Sequence, residues 1–553
     1  MLADSPADLV VRGGRIRTVD RSNPLAEALA VRDGAIVALG REVDLRSLVG
    51  PRTRVIELRG GAAVPGFVDA HVHPTHGGLA RIRCELHDLR GRSEYLAAVE
   101  RYAAEHPGQA WIRGGGWSMA DFPGGTPHRA DLDRVSPDRP VFLTSRDGHT
   151  AWVNSRALAV AGLEAGTPDP EDGRIERDLD GSPTGCLQEG AIELVRRHMP
   201  PNTAAEVEEG LAEGQRHLHS LGITGWQDAI ILDEDLDAYL ALADRGELTG
   251  RVVGALWWDR ARGLDQVPEL VERRERGRRD RFAATSVKMM QDGVLENFTG
   301  AMIDPYLGAD GRPSGNRGIS MVDPEVFGPA VTALEAEGFQ VHVHAIGDRA
   351  VREALDAFEA ARTSRAPGAA ADFRHHIAHI QVIHPDDIGR FPALDVVPNA
   401  QPYWAVFEDQ MEDLTIPFLG PERTGWQYPF GSLHRAGARL AMGSDWSVST
   451  ADPLAEIEAA VERIAPYHRG EKPPFLPDER LSPEVALAAF TLGSAFVNHL
   501  DAETGSLAVG KRADLAILDR DPFAPDAGPI GDARVLGTFV DGVPVFEDPA
   551  LGG

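Results

Sequence analysis

The chain has 553 residues, with 85 acidic against 56 basic side chains and a formal charge of -29. That excess argues against a nucleic-acid-binding surface, which needs clustered lysine and arginine. The two cysteines, Cys84 and Cys186, exclude a disulfide framework and a cysteine-based zinc site.

Hydrophobic content of 42% and charged content of 25% fit a soluble globular protein with a large core. Length alone suggests roughly three or four domains, or one barrel of about 250 residues or more with an accessory domain. The opening MLADSPADLVV has acids where a leader has basic residues, and no apolar run approaches the ~18 residues of a membrane span. A reducing cytoplasm is the expected setting, with neither membrane nor nucleic acid as a partner.

The first sixty residues read as short strands broken at Gly-Gly and Asp-Gly (DLVVRGGRIRTV, ALAVRDGAIVALG). The same texture returns in KRADLAILDRDP and RVLGTFVDGVPVFED near the far end. Both ends together are expected to build one small β domain. Between them come eight strand candidates: 62–70, 222–229, 251–258, 285–291, 339–345, 374–380, 394–401 and 438–445. Helical patterns sit between many of them, one starting on an Asn202 or Thr203 cap and stopping at Gly222. Strand alternating with helix eight times fits a (β/α)8 TIM barrel.

The expected layout is therefore 1–63 and 501–553 in the small β domain and 64–500 in the barrel, with an insertion over about 75–205. So long a connection after the first strand suggests a lid or substrate-binding subdomain. The basic stretch VERRERGRRDR (271–281) reads as a solvated helix end. NFT at 297–299 carries little weight as a glycosylation site without a secretion signal. GGG at 114–116 lacks the Lys-Ser/Thr and the helix of a phosphate loop.

Barrel enzymes carry their chemistry at the C-terminal ends of the strands. The first strand ends at His71 and His73, the fourth carries Lys288, the fifth His344, the sixth His379, and the eighth ends at Asp445. His71 and His73 alternate, so they face one side and can grip one cation or simply pack. Four further residues of ligand type at four other strand ends favour the grip. A buried lysine beside cations loses its proton readily. Lys288 is then either a structural lysine paired with a carboxylate such as Asp292, or a carbamate formed with CO2, whose two oxygens bridge two metals.

VPGFVDAHVHP, VKMMQDGVLENFTG, VHVHAIGDRAV, HIQVIHPDDIGRF, NAQPYW and GSDWSVSTADPL resemble the amidohydrolase superfamily. More narrowly they resemble the amidohydrolase-3 branch that includes N-substituted formamide deformylase, and the resemblance runs over nearly the whole chain. It implies a barrel with a β-sandwich formed by both termini and a binuclear metal centre. On that pattern His71, His73 and Asp445 hold one ion, His344 and His379 a second, and carboxylated Lys288 bridges them. His342 is assigned packing or hydrogen bonding, and His375 and His376 a structural role. His384, beyond the sixth strand in a helix cap, is expected to be exposed. The ions are expected to be two Zn²⁺, with Mn²⁺ or Fe²⁺ as alternatives.

The implied reaction is hydrolysis of an amide-type carbon–nitrogen bond by a metal-activated hydroxide. Asp445 acts as general base and then as general acid to the leaving amine. Ester, lactone or carbamate hydrolysis fits the same centre. A one-metal deaminase is disfavoured because Gly347 stands where those enzymes carry a glutamate. A non-catalytic regulatory protein is disfavoured by the intact ligand set. Trp117, His149, Phe298, Tyr403 and Trp404 are candidates for the substrate pocket, together with Trp152 and Trp446. Gln401 is a candidate donor to a bound carbonyl. The partner is a small molecule, and a homodimer is the default assembly for a soluble enzyme.

Overall fold

The computed structural model describes residues 5–87, 89–365 and 372–552. Eight parallel strands form one sheet in unbroken sequence order. They are β1 Phe67–Val72, β2 Ile223–Ile231, β3 Arg251–Trp257, β4 Phe282–Met290, β5 Gln340–Ala345, β6 His376–His379, β7 Val397–Ala400 and β8 Ala441–Met442. Helices follow most strands, among them Asp233–Asp244, Val267–Arg276 and Asp348–Ser364. Their apolar faces and the outer faces of the strands share one large core. The result is a nearly closed eight-stranded barrel, as the alternation of strand and helix implies.

The helix Ala204–Ser220 begins on Thr203 with a reciprocal capping box to Glu206. It lies tightly against Pro74–Arg81, where a Cβ on Gly78 would sit 1.7 Å from Gly210 O.

The expected first strand, 62–70, is two strands. Ala62–Pro65 pairs with Leu515–Leu518 and Arg15–Arg17 in a six-stranded sheet, and only Phe67–Val72 enters the barrel. Both halves are apolar and buried, so the hydrophobic pattern does not reveal the change of sheet at Gly66. A four-stranded sheet made from Leu9–Arg12, Ala28–Arg32, Ala35–Gly40 and Arg54–Glu57 lies beside the six-stranded one. Leu9, Leu29, Ile56, Leu515 and Phe539 belong to one apolar cluster common to both sheets.

Residues 84–189 form a separate six-stranded mixed sheet with cores of its own. Among the described residues no helix is long and apolar enough to cross a membrane.

Candidate metal centre

The barrel closes where the chain between β8 and Trp446 meets the end of β1. Asp445 N donates to His71 O at 2.7 Å, and His73 N to Trp446 O at 2.9 Å. Buried Asp69 accepts from Ser444 N at 3.0 Å and Ser444 Oγ at 2.5 Å. A Cβ on Gly443 would lie 2.4 Å from His71 N, so glycine alone allows this approach.

At that seam the side chains converge. His71 Nε2 is 3.3 Å and His73 Nε2 3.1 Å from Asp445 Oδ1, and His379 Nδ1 is 3.9 Å from Asp445 Oδ2. The donor atoms of His71, His379 and Asp445 all lie within 4.8 Å of one another. Two buried nitrogens, His73 Nδ1 and His379 Nδ1, have no hydrogen-bond partner in the structure. Burial holds His71 and His379 well below the usual imidazole range, so both rings offer lone pairs. Neutral imidazoles around a carboxylate, with orphaned nitrogens, fit a divalent cation.

The resemblance assigns His379 to a second ion. In the structure its ring stands between the two groups, 4.7 Å from His71 and 4.4 Å from His344 by ring centroid. The reason is local: His379 ends β6 with φ 74, which turns the ring across the bore. His344 Nε2 donates to Gly293 O at 3.2 Å. Lys288 is buried beside His342 in the register of β4 and β5, and burial pushes its ammonium down to about 7. Asp292 is not its ion-pair partner. That carboxylate accepts from the backbone of Ala301, Ile346 and Gly347 at 2.8–2.9 Å, and burial raises it to about 8.

His149 reaches the centre from the insertion, with its ring 5.6 Å from that of His344. Its Nδ1 meets both oxygens of Glu189 at 3.0 and 3.1 Å. Glu189 also accepts from Asn297 Nδ2 and Thr299 Oγ1, which binds the insertion to the loop after β4. Burial pulls the His149 ring down, but the Glu189 carboxylate outweighs it and holds the ring up at about 9. His379, Asp445, Glu189 and Phe298 all have positive φ. Each such non-glycine residue stores about 1–3 kcal/mol of strain, and such strain gathers at functional sites.

A cavity of about 800 Å³ adjoins the centre, reaching Trp446, the residue after Asp445. Trp404 lines it and stacks on His379 with ring centroids 5.2 Å apart; Tyr403 and Trp446 line it too. Its walls carry more charge than the expected aromatic pocket. Arg90, Arg146, Glu296 and Glu408 face it, and burial lifts Glu296 to about 7.

Three candidates have partners outside the cavity. Trp117 ends the strand Ile112–Trp117, is fully buried, donates to Leu143 O and packs against Phe122 and Trp152 in the insertion core. Gln401 accepts from His379 N at 2.7 Å and donates to Asn399 Oδ1 at 3.2 Å, which buttresses β6. Phe298 packs edge-on against Tyr306 and Phe418.

Asp69, Glu189 and Gln227 had no local sequence signal beyond being polar residues in strands, and their roles follow from distant partners. His384 caps the helix Pro385–Ile388 through Nδ1, half-buried.

A barrel whose strand ends gather histidines and a carboxylate around one point defines a metal-dependent hydrolase. The amidohydrolase family model matches residues 54–546, and the chain belongs to that family. Protein LONG AFTER FAR-RED 3 of Arabidopsis thaliana is 32% identical over 98% of this chain and 92% of its own length. N-substituted formamide deformylase of Arthrobacter pascens is 29% identical over 98% of this chain and 98% of its own length. Among solved structures, an uncharacterized metal-dependent hydrolase from Pyrococcus furiosus superposes with a TM-score of 0.70 at 27% identity. That match covers 93% of this chain and 100% of the other.

Proposed function

We propose that the protein hydrolyses an amide-type carbon–nitrogen bond to a carboxylic acid and an amine, with Asp445 as the proton-transfer residue. The observation that carries this reading is the buried Asp445 carboxylate next to cavity-lining Trp446, flanked by His71 and His73 nitrogens at 3.3 and 3.1 Å. His71, His73, His344, His379, Asp445 and a carboxylated Lys288 would hold two divalent ions, with Zn²⁺ the first choice. Such ions supply a water made acidic near neutral pH. Asp445 would accept a proton from that water and return it to the departing nitrogen. His149, held by Glu189, and Trp404, stacked on His379, would flank the scissile group. The charged walls at Arg90, Arg146 and Glu408 favour an amide with a polar arm.

Deamination is disfavoured by sterics as well as by residue type. A Cβ at Gly347 would lie 2.0 Å from Ala301 O, so no glutamate fits there to shuttle protons. Ester and carbamate hydrolysis remain alternatives at the same centre.

Elemental analysis with a hydrolysis screen over N-formyl, N-acyl and cyclic amides tests the proposal. Bound divalent metal and release of an amine from one class are expected. A metal-loaded protein that cleaves esters but no amide would overturn it.

A further inference from the structure

A line of buried side chains runs down the bore from the metal centre to the opposite end of the barrel, and every proton along it is fixed by its partners. At the far end Gln340 Nε2 donates to two backbone carbonyls, Arg374 O at 2.9 Å and Val497 O at 2.6 Å. Carbonyls only accept, so the amide has one orientation and its Oε1 faces inward. Gln227 Nε2 donates to that oxygen at 3.0 Å and to Asn498 Oδ1 at 3.0 Å. The Gln227 amide is therefore oriented too, and its Oε1 faces His342 Nδ1 at 2.7 Å.

An amide oxygen cannot donate, so His342 Nδ1 carries the proton. The ring is buried, its hydrogen-bond partners are Gln227 and His71, and among the described residues no carboxylate is paired with it to hold a second proton, so Nε2 is left as a lone pair. His71 Nδ1 lies 2.9 Å from that lone pair and must be the N–H that fills it. The other nitrogen, His71 Nε2, is then bare and aimed at Asp445 Oδ1, 3.3 Å away. A nitrogen lone pair facing a carboxylate oxygen is repulsive until a cation lies between them.

We propose that Gln340, Gln227 and His342 are positioning residues that lock His71 in the Nδ1–H tautomer, keeping its Nε2 permanently ready to bind a metal ion. The inference rests on the proposed metal centre only in taking His71 as a ligand. None of the three residues touches substrate. They act through His71 alone, and the anchor of the line is backbone at the barrel's far end. Partners beyond the ligand set orientation and basicity in metal sites, and their loss typically costs about 10–100-fold in affinity.

The test uses the full chain stripped of metal by chelator and titrated with Co²⁺ alone, with no turnover measured. His342→Leu and Gln227→Leu should weaken Co²⁺ binding about 10–100-fold. His342→Gln places an amide oxygen and NH2 near the two ring nitrogens and should recover most of the loss. In ¹⁵N-histidine spectra of the stripped wild type, the His71 proton should sit on Nδ1, and it should redistribute toward Nε2 in both leucine variants. A general packing defect would weaken binding without moving that proton.

A wild-type His71 protonated on Nε2, or a folded His342→Leu chain with unchanged Co²⁺ affinity, would overturn the relay. His71→Ala separates the two readings. If it binds Co²⁺ as tightly as wild type, the metal centre itself is wrong and the relay falls with it. If it loses Co²⁺ while His342→Leu does not, the relay alone falls.

Discussion

Two tiers of histidine share the bore. His342 and His376 form the lower tier, in register with Lys288, and His71, His73, His344 and His379 form the upper one. Burial holds His342, His376, His71, His344 and His379 alike well below the usual imidazole range. Charge state therefore does not separate the tiers; surroundings do. Lower-tier rings face other side chains: His342 bonds Gln227 and His71, and His376 Nδ1 accepts from Asn399 Nδ2 at 3.1 Å while its ring lies tilted against that of His342. In the upper tier His71, His73 and His379 face Asp445, and His344 Nε2 donates to Gly293 O. In this bore His71, His73 and His379 gather on one carboxylate, whereas His342 and His376 bond to the amides of Gln227 and Asn399.

Four experiments break or sharpen this contrast. Asp445→Asn should have the largest effect, a turnover loss of at least about a hundredfold with metal still bound. Steady-state rates beside elemental analysis will show it, and near-wild-type activity would remove Asp445 from its role. His71→Ala and His379→Ala should cost more metal affinity than the roughly 10–100-fold expected for outer partners, as read by chelator competition. Equal losses from the two tiers would erase the distinction.

The Lys288 prediction is smaller and depends on pH. Burial lowers its pKa to about 7, so the ammonium dominates below that value and the neutral amine above it. Only the neutral amine reacts with CO2. Uptake of ¹³C-bicarbonate as a carbamate should therefore rise from about pH 6 to about pH 8 and vanish in Lys288→Ala. A flat profile would argue for a structural lysine. His376→Leu should matter least. It leaves metal content unchanged and costs about 1–3 kcal/mol of stability, because Asn399 loses an acceptor in the core; denaturant unfolding with metal analysis measures both.

The barrel was legible because strand and helix alternate and because chemistry sits at strand ends. His71, Lys288, His344, His379 and Asp445 each close or nearly close an apolar run, so each could be placed from spacing alone. The break at Gly66 was hidden because apolar residues on either side serve different sheets. Trp117 was misplaced because a glycine-rich stretch reads as loop, whereas RGGGW is a buried strand whose glycines let neighbouring strands approach. The bonds of Gln401 to His379 N and Asn399 were not legible because spacing gives no side-chain partners. The charge of the cavity walls was not legible, since Arg90, Arg146, Glu296 and Glu408 come from separate segments that only the folded chain brings together.

The barrel's seam has a consequence for how the enzyme matures. His71 belongs to the first strand and Asp445 follows the last, so the two halves of the centre meet only when the ring shuts. An ion held by both would act as a latch on that final docking and stabilise the closed ring by about 2.7 kcal/mol at a hundred times its dissociation constant. A chain still being made, or one whose last strand has slipped, would have no complete site to fill. Topology thus makes competence for catalysis a report on completed folding.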